Sequence, residues 1–479
     1  MKQGNYRHLL DKGYLNICLV FFVCYGFFGT GISLLIPPLQ GPDEATHWIS
    51  AVYRASSKVD GRVCSKELDL PAYFEFKTVA FQSHKKLKSN IYSQASTDRP
   101  SKCITTDPAN YGNSFTYLAV WLAKVLVPDE ESSIRKAIVS FHLARIINGF
   151  VILSALLFLL YSVTPGRSLG LLFVAFIVQS PLFIQQTFTI SSDWIIILTS
   201  LLVLIRCFSR KPLGFLFFSL FSIISVGAIL TKPVILPLLM LPLLFPIKDE
   251  AAFTYKNLKV TYNHIAALVQ CFAFLAYVAT IFTNSDEFTD SGNISGLDPI
   301  AQLRFILFHF DVACTAIYRG IVDWITWDKF LGPLGWVDVF FAKTTLRYWS
   351  ELTQGVLYIE GLILTITAYN ARRLKFSRTR LLLGCLLVFG SFIAVPFAMY
   401  LLVTVPGSNF VNGLQTRYYF PSIIASMAIF QLFPLECEDE SVELSLTQET
   451  ILWVITLIPL GFLLRFYAFV WIDVLWRYR

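Results

Sequence analysis

Runs of about twenty apolar residues recur along most of this chain, the length a helix needs to cross a hydrocarbon layer of about 30 Å. Lipid offers no water to an unpaired backbone, so a chain written this way folds as hydrogen-bonded helices. Composition agrees: of 479 residues, 55% are hydrophobic and only 15% are charged, where a soluble domain carries about a quarter. Residues 1–13 are polar and basic, and the apolar run that follows has no small-residue cleavage site. It reads as a retained span, not a leader.

The expected spans are 15–37, 138–163, 169–189, 191–205, 213–230, 234–246, 264–282, 351–369, 381–402, 418–433 and 451–471. That is an all-α polytopic protein of about eleven spans, 1–479 forming one integral membrane domain. With the N-terminus inside, the inner loops hold Arg167, Arg206, Arg210, Lys211, Lys248, Lys256 and Lys259, then the cluster Arg372, Arg373, Lys375, Arg378 and Arg380. This is the positive-inside distribution, which accounts for the net charge of +7 without a nucleic-acid partner. The acidic loop 436–443 departs from it, but acidic residues weigh little in orientation.

Two long segments then face outward, 40–113 and 283–349, and loops of that length usually carry function. The first runs on into an apolar stretch, 115–127, too short to span comfortably and expected as an interfacial helix. The second mixes apolar residues with Arg304, His309, Asp311, Arg319 and Asp323, which suits one or two amphipathic interfacial helices. Of nine Cys, those within apolar runs read as small buried hydrophobes. Cys64 and Cys103 both fall in the first outer segment, with thirty-eight residues between them. In an oxidising compartment they are candidates for a disulfide. There is no tandem repeat, glycine-rich nucleotide loop or metalloprotease helix motif, and the inner loops are too short for a catalytic domain.

The polar residues that need explaining gather at the outer boundary. The first span ends in Pro37-Pro38 and runs into Pro42-Asp43-Glu44, with His47 four residues beyond Asp43 and on the same helical face. Asp43 could take a proton from a hydroxyl or share a divalent cation with His47; alternatively both acids simply complement a helix N-terminus. Arg145, Asp193, Lys232 and Arg417 stand at the same expected depth, where charges are functional or snorkel to headgroups. Acids beside several cations suit an anionic lipid phosphate next to a proton-handling group. A transporter needs polar groups at the midplane, and the midplanes here are mostly Leu, Ile, Phe and Val. In the second outer segment, Trp336 and Asp338 lie within Leu334-Gly335-Trp336-Val337-Asp338. Such a Trp anchors in the headgroup belt or stacks on a sugar, whose hydroxyls a neighbouring Asp accepts.

Taken in order, Pro37-Pro38, Pro42-Asp43-Glu44 with His47, Arg145, Ser192-Asp193, Lys232-Pro233, the stretch 334–338 and Gln415-Thr416-Arg417-Tyr418-Tyr419-Phe420-Pro421 resemble the DUF2142 family of bacterial predicted membrane proteins. Thr416 stands where that family usually has glycine. The family in turn is similar to the GT-C superfamily of glycosyltransferases. That resemblance implies a GT-C-like fold in a bacterial inner membrane, a polyprenyl-phosphate-linked sugar as donor, and an envelope glycan or glycolipid as acceptor. It implies inverting transfer at the outer face, with Asp43 as general base beside Glu44. Arg145, Lys232 and Arg417 are then donor-phosphate contacts, and His47, Trp336, Asp338 and Gln415 substrate contacts. A divalent cation on Asp43 and His47 stays open, as do a flippase or exporter and a noncatalytic part in envelope polysaccharide assembly.

Overall fold

The computed structural model of the chain describes residues 3–36, 38, 44, 47–48, 50–51, 62–64, 103–105, 114–127, 133–163, 170–209, 213–245, 251–255, 258–283, 298–324, 342–370, 378–432 and 460–475. The chain is largely helical. In order the α-helices are α1 (Gln3–Leu35), α2 (Leu118–Leu126), α3 (Ser133–Ser162), α4 (Leu171–Ile177), α5 (Pro181–Thr187), α6 (Asp193–Phe208), α7 (Phe215–Thr231), α8 (Leu236–Leu239), α9 (Tyr262–Thr283), α10 (Pro299–Phe308), α11 (Phe310–Trp324), α12 (Lys343–Asn370), α13 (Arg378–Leu402), α14 (Phe420–Ser426) and α15 (460–475). Two antiparallel ribbons accompany them, β1 (Arg62–Cys64) with β2 (Cys103–Thr105) and β3 (Ala251–Tyr255) with β4 (Leu258–Thr261).

The expectation of about eleven spans is overturned. Among the described residues, four helices are long and apolar enough to cross a membrane: Leu15–Leu35, Lys136–Ser162, Tyr262–Thr280 and Thr379–Leu402. They become five if α10 and α11, bent by 108° at His309, count as one broken span. Proline explains much of the difference. The expected span 169–189 breaks at Ser180, whose extended backbone (ψ 128°) precedes Pro181 at the first turn of α5. Pro233, Pro237 and Pro242 divide the expected span 234–246 into a 3-10 turn, the single turn α8 and a second 3-10 turn. The expected span 418–433 is likewise a chain of short pieces, Thr416–Tyr419, α14 and Met427–Leu432. Expected spans 351–369 and 451–471 fall on α12 and partly on α15, neither of which is among the four.

The core explains why apolarity overstates the crossings. All of α6 except the partly exposed Leu202 is buried, so the helix faces protein on nearly every side. A helix apolar all round is buried either way, and α6 belongs to the protein interior. It packs between α3 and α14, with α7 alongside, while α1 lies on α3 and on the broken pair α4–α5. The break is stitched to its neighbours by polar groups: Gln179 Nε2 donates to the Phe21 carbonyl at 2.6 Å, and Tyr467 Oη donates to the Gln179 carbonyl at 2.8 Å. Tyr25 Oη donates to Thr187 Oγ1 at 2.7 Å. By contrast, Leu268, Phe272 and Leu275 of α9 and Leu382, Leu386 and Phe389 of α13 are exposed, as lipid-facing helices require.

Glycine sets the closest approach. A Cβ on Gly29 would stand 2.1 Å from the Phe188 ring and one on Gly149 2.2 Å from it, so that ring fills the space the two glycines leave between α1 and α3.

Candidate functional site

Where α1 ends, α6 begins and α7 finishes, the described charges fall into two groups. The first is a clamp. Arg145, eleven residues into α3 beyond Ile134, is 1% exposed and grips Glu44, 0% exposed, through a two-pronged pair: Nε to Oε1 at 2.7 Å and Nη2 to Oε2 at 2.5 Å. This is the fork-to-fork geometry that makes Arg–carboxylate pairs strong. Its Nη1 donates to the carbonyls of Ser33 (2.9 Å) and Ile36 (2.5 Å), acceptors left over at the C-terminal end of α1. Glu44 Oε1 also accepts from the Ile190 backbone N–H at 3.2 Å. The Arg145–Glu44 pair therefore fixes the end of α1, the chain after it and, through Glu44, the turn ahead of α6.

The chain beyond Glu44 is held from three sides. His47 Nδ1 lies 3.1 Å from Tyr117 Oη, Trp121 Nε1 donates to the Ala51 carbonyl at 3.3 Å, and the Trp48 ring packs 4.9 Å from that of Phe141. Trp194 Nε1 of α6 donates to the Thr116 carbonyl at 3.1 Å, joining the same layer to α6.

The second group is an ion cluster around Asp193, the first residue of α6. Asp193 accepts from Lys232 Nζ through Oδ1, and its Oδ2 lies 3.8 Å from Arg417 Nε. Burial alone would raise the Asp193 pKa, but Lys232 and Arg417, with a smaller contribution from His47, outweigh it and hold the carboxyl below its ordinary range. Lys232 Nζ also sits 4.5 Å from the Tyr418 ring centre and Arg417 Cζ 5.1 Å from it. Local structure delivers both cations. Lys232 ends α7 because Pro233 follows it, and Arg417 is carried by the 3-10 turn Thr416–Tyr419. Thr416 opens that turn, whose negative φ a branched residue adopts readily.

Asp193, Lys232 and Arg417 line one cleft of about 190 Å³. Its other walls are chiefly apolar, from Ile196 and Ile197 of α6, Ile235 and Leu238, and Val395, Met399 and Leu402 of the spanning helix α13, with Tyr277 of the spanning helix α9. The Lys232 side chain is 29% exposed, against 11% for Asp193 and 4% for Arg417, so the lysine is the cation presented to an incoming group. Among the described residues that line it, the cleft has two cations and one carboxylate, a net positive charge. It can receive an anionic head while its walls take an apolar tail.

Of the residues expected from sequence, Lys232 and Arg417 come together in the cleft, and Arg145 joins Glu44 in the clamp. His47 is buried next to Tyr117. Gln415 caps the turn that bears Arg417, its carbonyl accepting from the Tyr418 N–H at 3.1 Å. Asp43, Trp336 and Asp338 lie outside the described residues. Among the described residues no group of three or more His, Cys, Asp or Glu forms a metal site. Sequence reasoning left two participants without a role. Asp193 carried a signal, as a charge at the head of an apolar run, whereas Tyr117 is distant in sequence from its partner and carried none.

The model of the family described as "Predicted membrane protein (DUF2142)" matches residues 24–426, most of the chain, and the chain belongs to that family. No curated protein and no solved structure matches it.

Proposed function

We propose that this DUF2142 membrane protein transfers a sugar from a polyprenyl-phosphate-linked donor to an envelope glycan or glycolipid acceptor. The observation that supports the reading is the convergence of Lys232 and Arg417 on a cleft walled chiefly by apolar side chains, several of them from two spanning helices. A lipid phosphate has the same division, an anionic head on a hydrocarbon chain. Lys232 supplies a mobile point charge to a phosphate oxygen and Arg417 a planar fork. Asp193 is the anion that occupies the two cations between substrates, and an arriving phosphate competes with it for them.

In the transfer, an acceptor hydroxyl oxygen bonds to the anomeric carbon as the bond from that carbon to the phosphate oxygen breaks. The electron pair leaves with the lipid phosphate, where Lys232 and Arg417 offset the charge that develops. The hydroxyl proton passes to a carboxylate, which we assign to Asp43. Glu44, immediately after it, is fixed by Arg145. In this reading Arg145 serves the site by positioning the acidic segment, and the phosphate falls to Lys232 and Arg417. The loop bearing Trp336 and Asp338 is assigned to the acceptor or the sugar.

The test is an Asp43→Asn exchange in the native host, with protein level and envelope glycan measured together. Loss of one sugar from the glycan at unchanged protein level is expected. A normal glycan would remove Asp43 from the chemistry. Accumulation of precursor on the inner leaflet would favour an exporter instead.

A further inference from the structure

Residues 62–64 and 103–105 form the ribbon β1–β2, and its register sets Cys64 directly opposite Cys103, with Val63 opposite Ile104 and Arg62 opposite Thr105. Residues facing each other across an antiparallel pair have Cα atoms about 4.5 to 5.5 Å apart, inside the separation of about 4.4 to 6.8 Å that a disulfide needs. Thirty-eight residues separate the two cysteines in sequence, so only the fold brings them together. Of the other described cysteines, Cys24, Cys207, Cys271, Cys314 and Cys385 are free thiols within helices.

We propose that Cys64 and Cys103 form a disulfide in the mature protein, closing the segment between them and tying together the two stretches that flank the buried His47. One stretch carries Glu44, His47 and Trp48; the other carries Thr116, Tyr117 and Trp121. These already meet through His47 to Tyr117 at 3.1 Å and Trp121 to the Ala51 carbonyl at 3.3 Å. Ten residues separate Ala51 from Arg62 and eight separate Thr105 from Ser114, so a cross-link at the ribbon restrains both stretches at once. Formation joins the two sulfurs and releases two protons and two electrons. The electrons reduce the disulfide of a thiol-oxidising protein to its dithiol. Such oxidants work on the outer side of a bacterial inner membrane, so the bond places this segment outside, as the positive-inside charges expect. The inference does not depend on sugar transfer.

The experiment uses full-length protein purified from membranes, with free thiols blocked by a maleimide in denaturant before reduction and a second label. Wild type should gain two labels after reduction, and Cys64→Ser and Cys103→Ser should each gain none. A tryptic digest without reductant should contain the two cysteine peptides joined, two hydrogen masses below their sum. Equal labelling with and without reductant, or a gain that persists in Cys64→Ser, would overturn the proposal.

Discussion

At the scale of single residues, the two ion groups have different tasks because they differ in exposure. Glu44 and Arg145 are sealed from solvent, and the pair has no room to admit a ligand without breaking. Removing one partner of such a pair strands a buried charge, which costs about 3–5 kcal/mol. Glu44→Ala should therefore lower the unfolding temperature in detergent markedly. Lys232 is partly exposed and borders the cleft, so Lys232→Ala should leave that temperature nearly unchanged while weakening lipid-phosphate binding. If Glu44→Ala melted like wild type, the clamp would not be the structural element described.

Asp193 gives the residue scale a pH dependence. Its folded pKa lies below the ordinary carboxylate value of 3.8, so the stability it contributes is present above that value and is lost as pH falls through the lower folded pKa. The difference in unfolding temperature between wild type and Asp193→Asn should stay constant from about pH 5 to 8 and shrink in more acid solution. A difference that changed near neutral pH would point to another group.

At the scale of elements, the contact between α1 and α3 turns on the absence of side chains. Gly29→Ala and Gly149→Ala each drive a methyl group into Phe188, which is packed against Tyr25 with ring centres 5.4 Å apart. Overpacking of this kind costs about 1–3 kcal/mol. Gly355→Ala in α12 meets nothing within 4 Å and should be neutral or stabilising by up to about 1 kcal/mol. Thermal unfolding of the three variants in one detergent checks the order.

The same scale shows what could be read from the chain alone. The four long spans were legible because apolar length is the signal itself, and expected boundaries such as 138–163 and 381–402 fall close to Lys136–Ser162 and Thr379–Leu402. The broken elements were not, because apolarity reports only that a segment leaves water. It does not say whether lipid or protein receives it, as α6 demonstrates. Pro181, Pro233, Pro237 and Pro242 were the legible warnings against uninterrupted helices. Lys232 and Arg417 were legible as costly charges beside apolar runs. The pairing of Arg145 with Glu44 was not, since nothing local links positions 101 residues apart.

At the scale of the whole molecule, a few spanning helices surround a core of short and broken ones, and the breaks make the site possible. Lys232 and Arg417 sit where proline and a 3-10 turn interrupt apolar sequence, each bringing a cation to Asp193 at the head of α6. The spanning helices α9 and α13 complete the cleft with Tyr277, Val395 and Met399. A cleft built this way joins cations to apolar walls, which fits the proposed substrate, part phosphate and part lipid.

The most direct measurement is the affinity of a short-chain polyprenyl phosphate for the purified protein, compared among wild type, Lys232→Ala and Arg417→Ala. A charge-assisted hydrogen bond to phosphate contributes about 1.5–3 kcal/mol, so each variant should bind about 10- to 100-fold more weakly. The matching alcohol, which lacks the phosphate, should bind all three proteins alike. Equal affinity of the phosphate for wild type and both variants would contradict the assignment of the cleft.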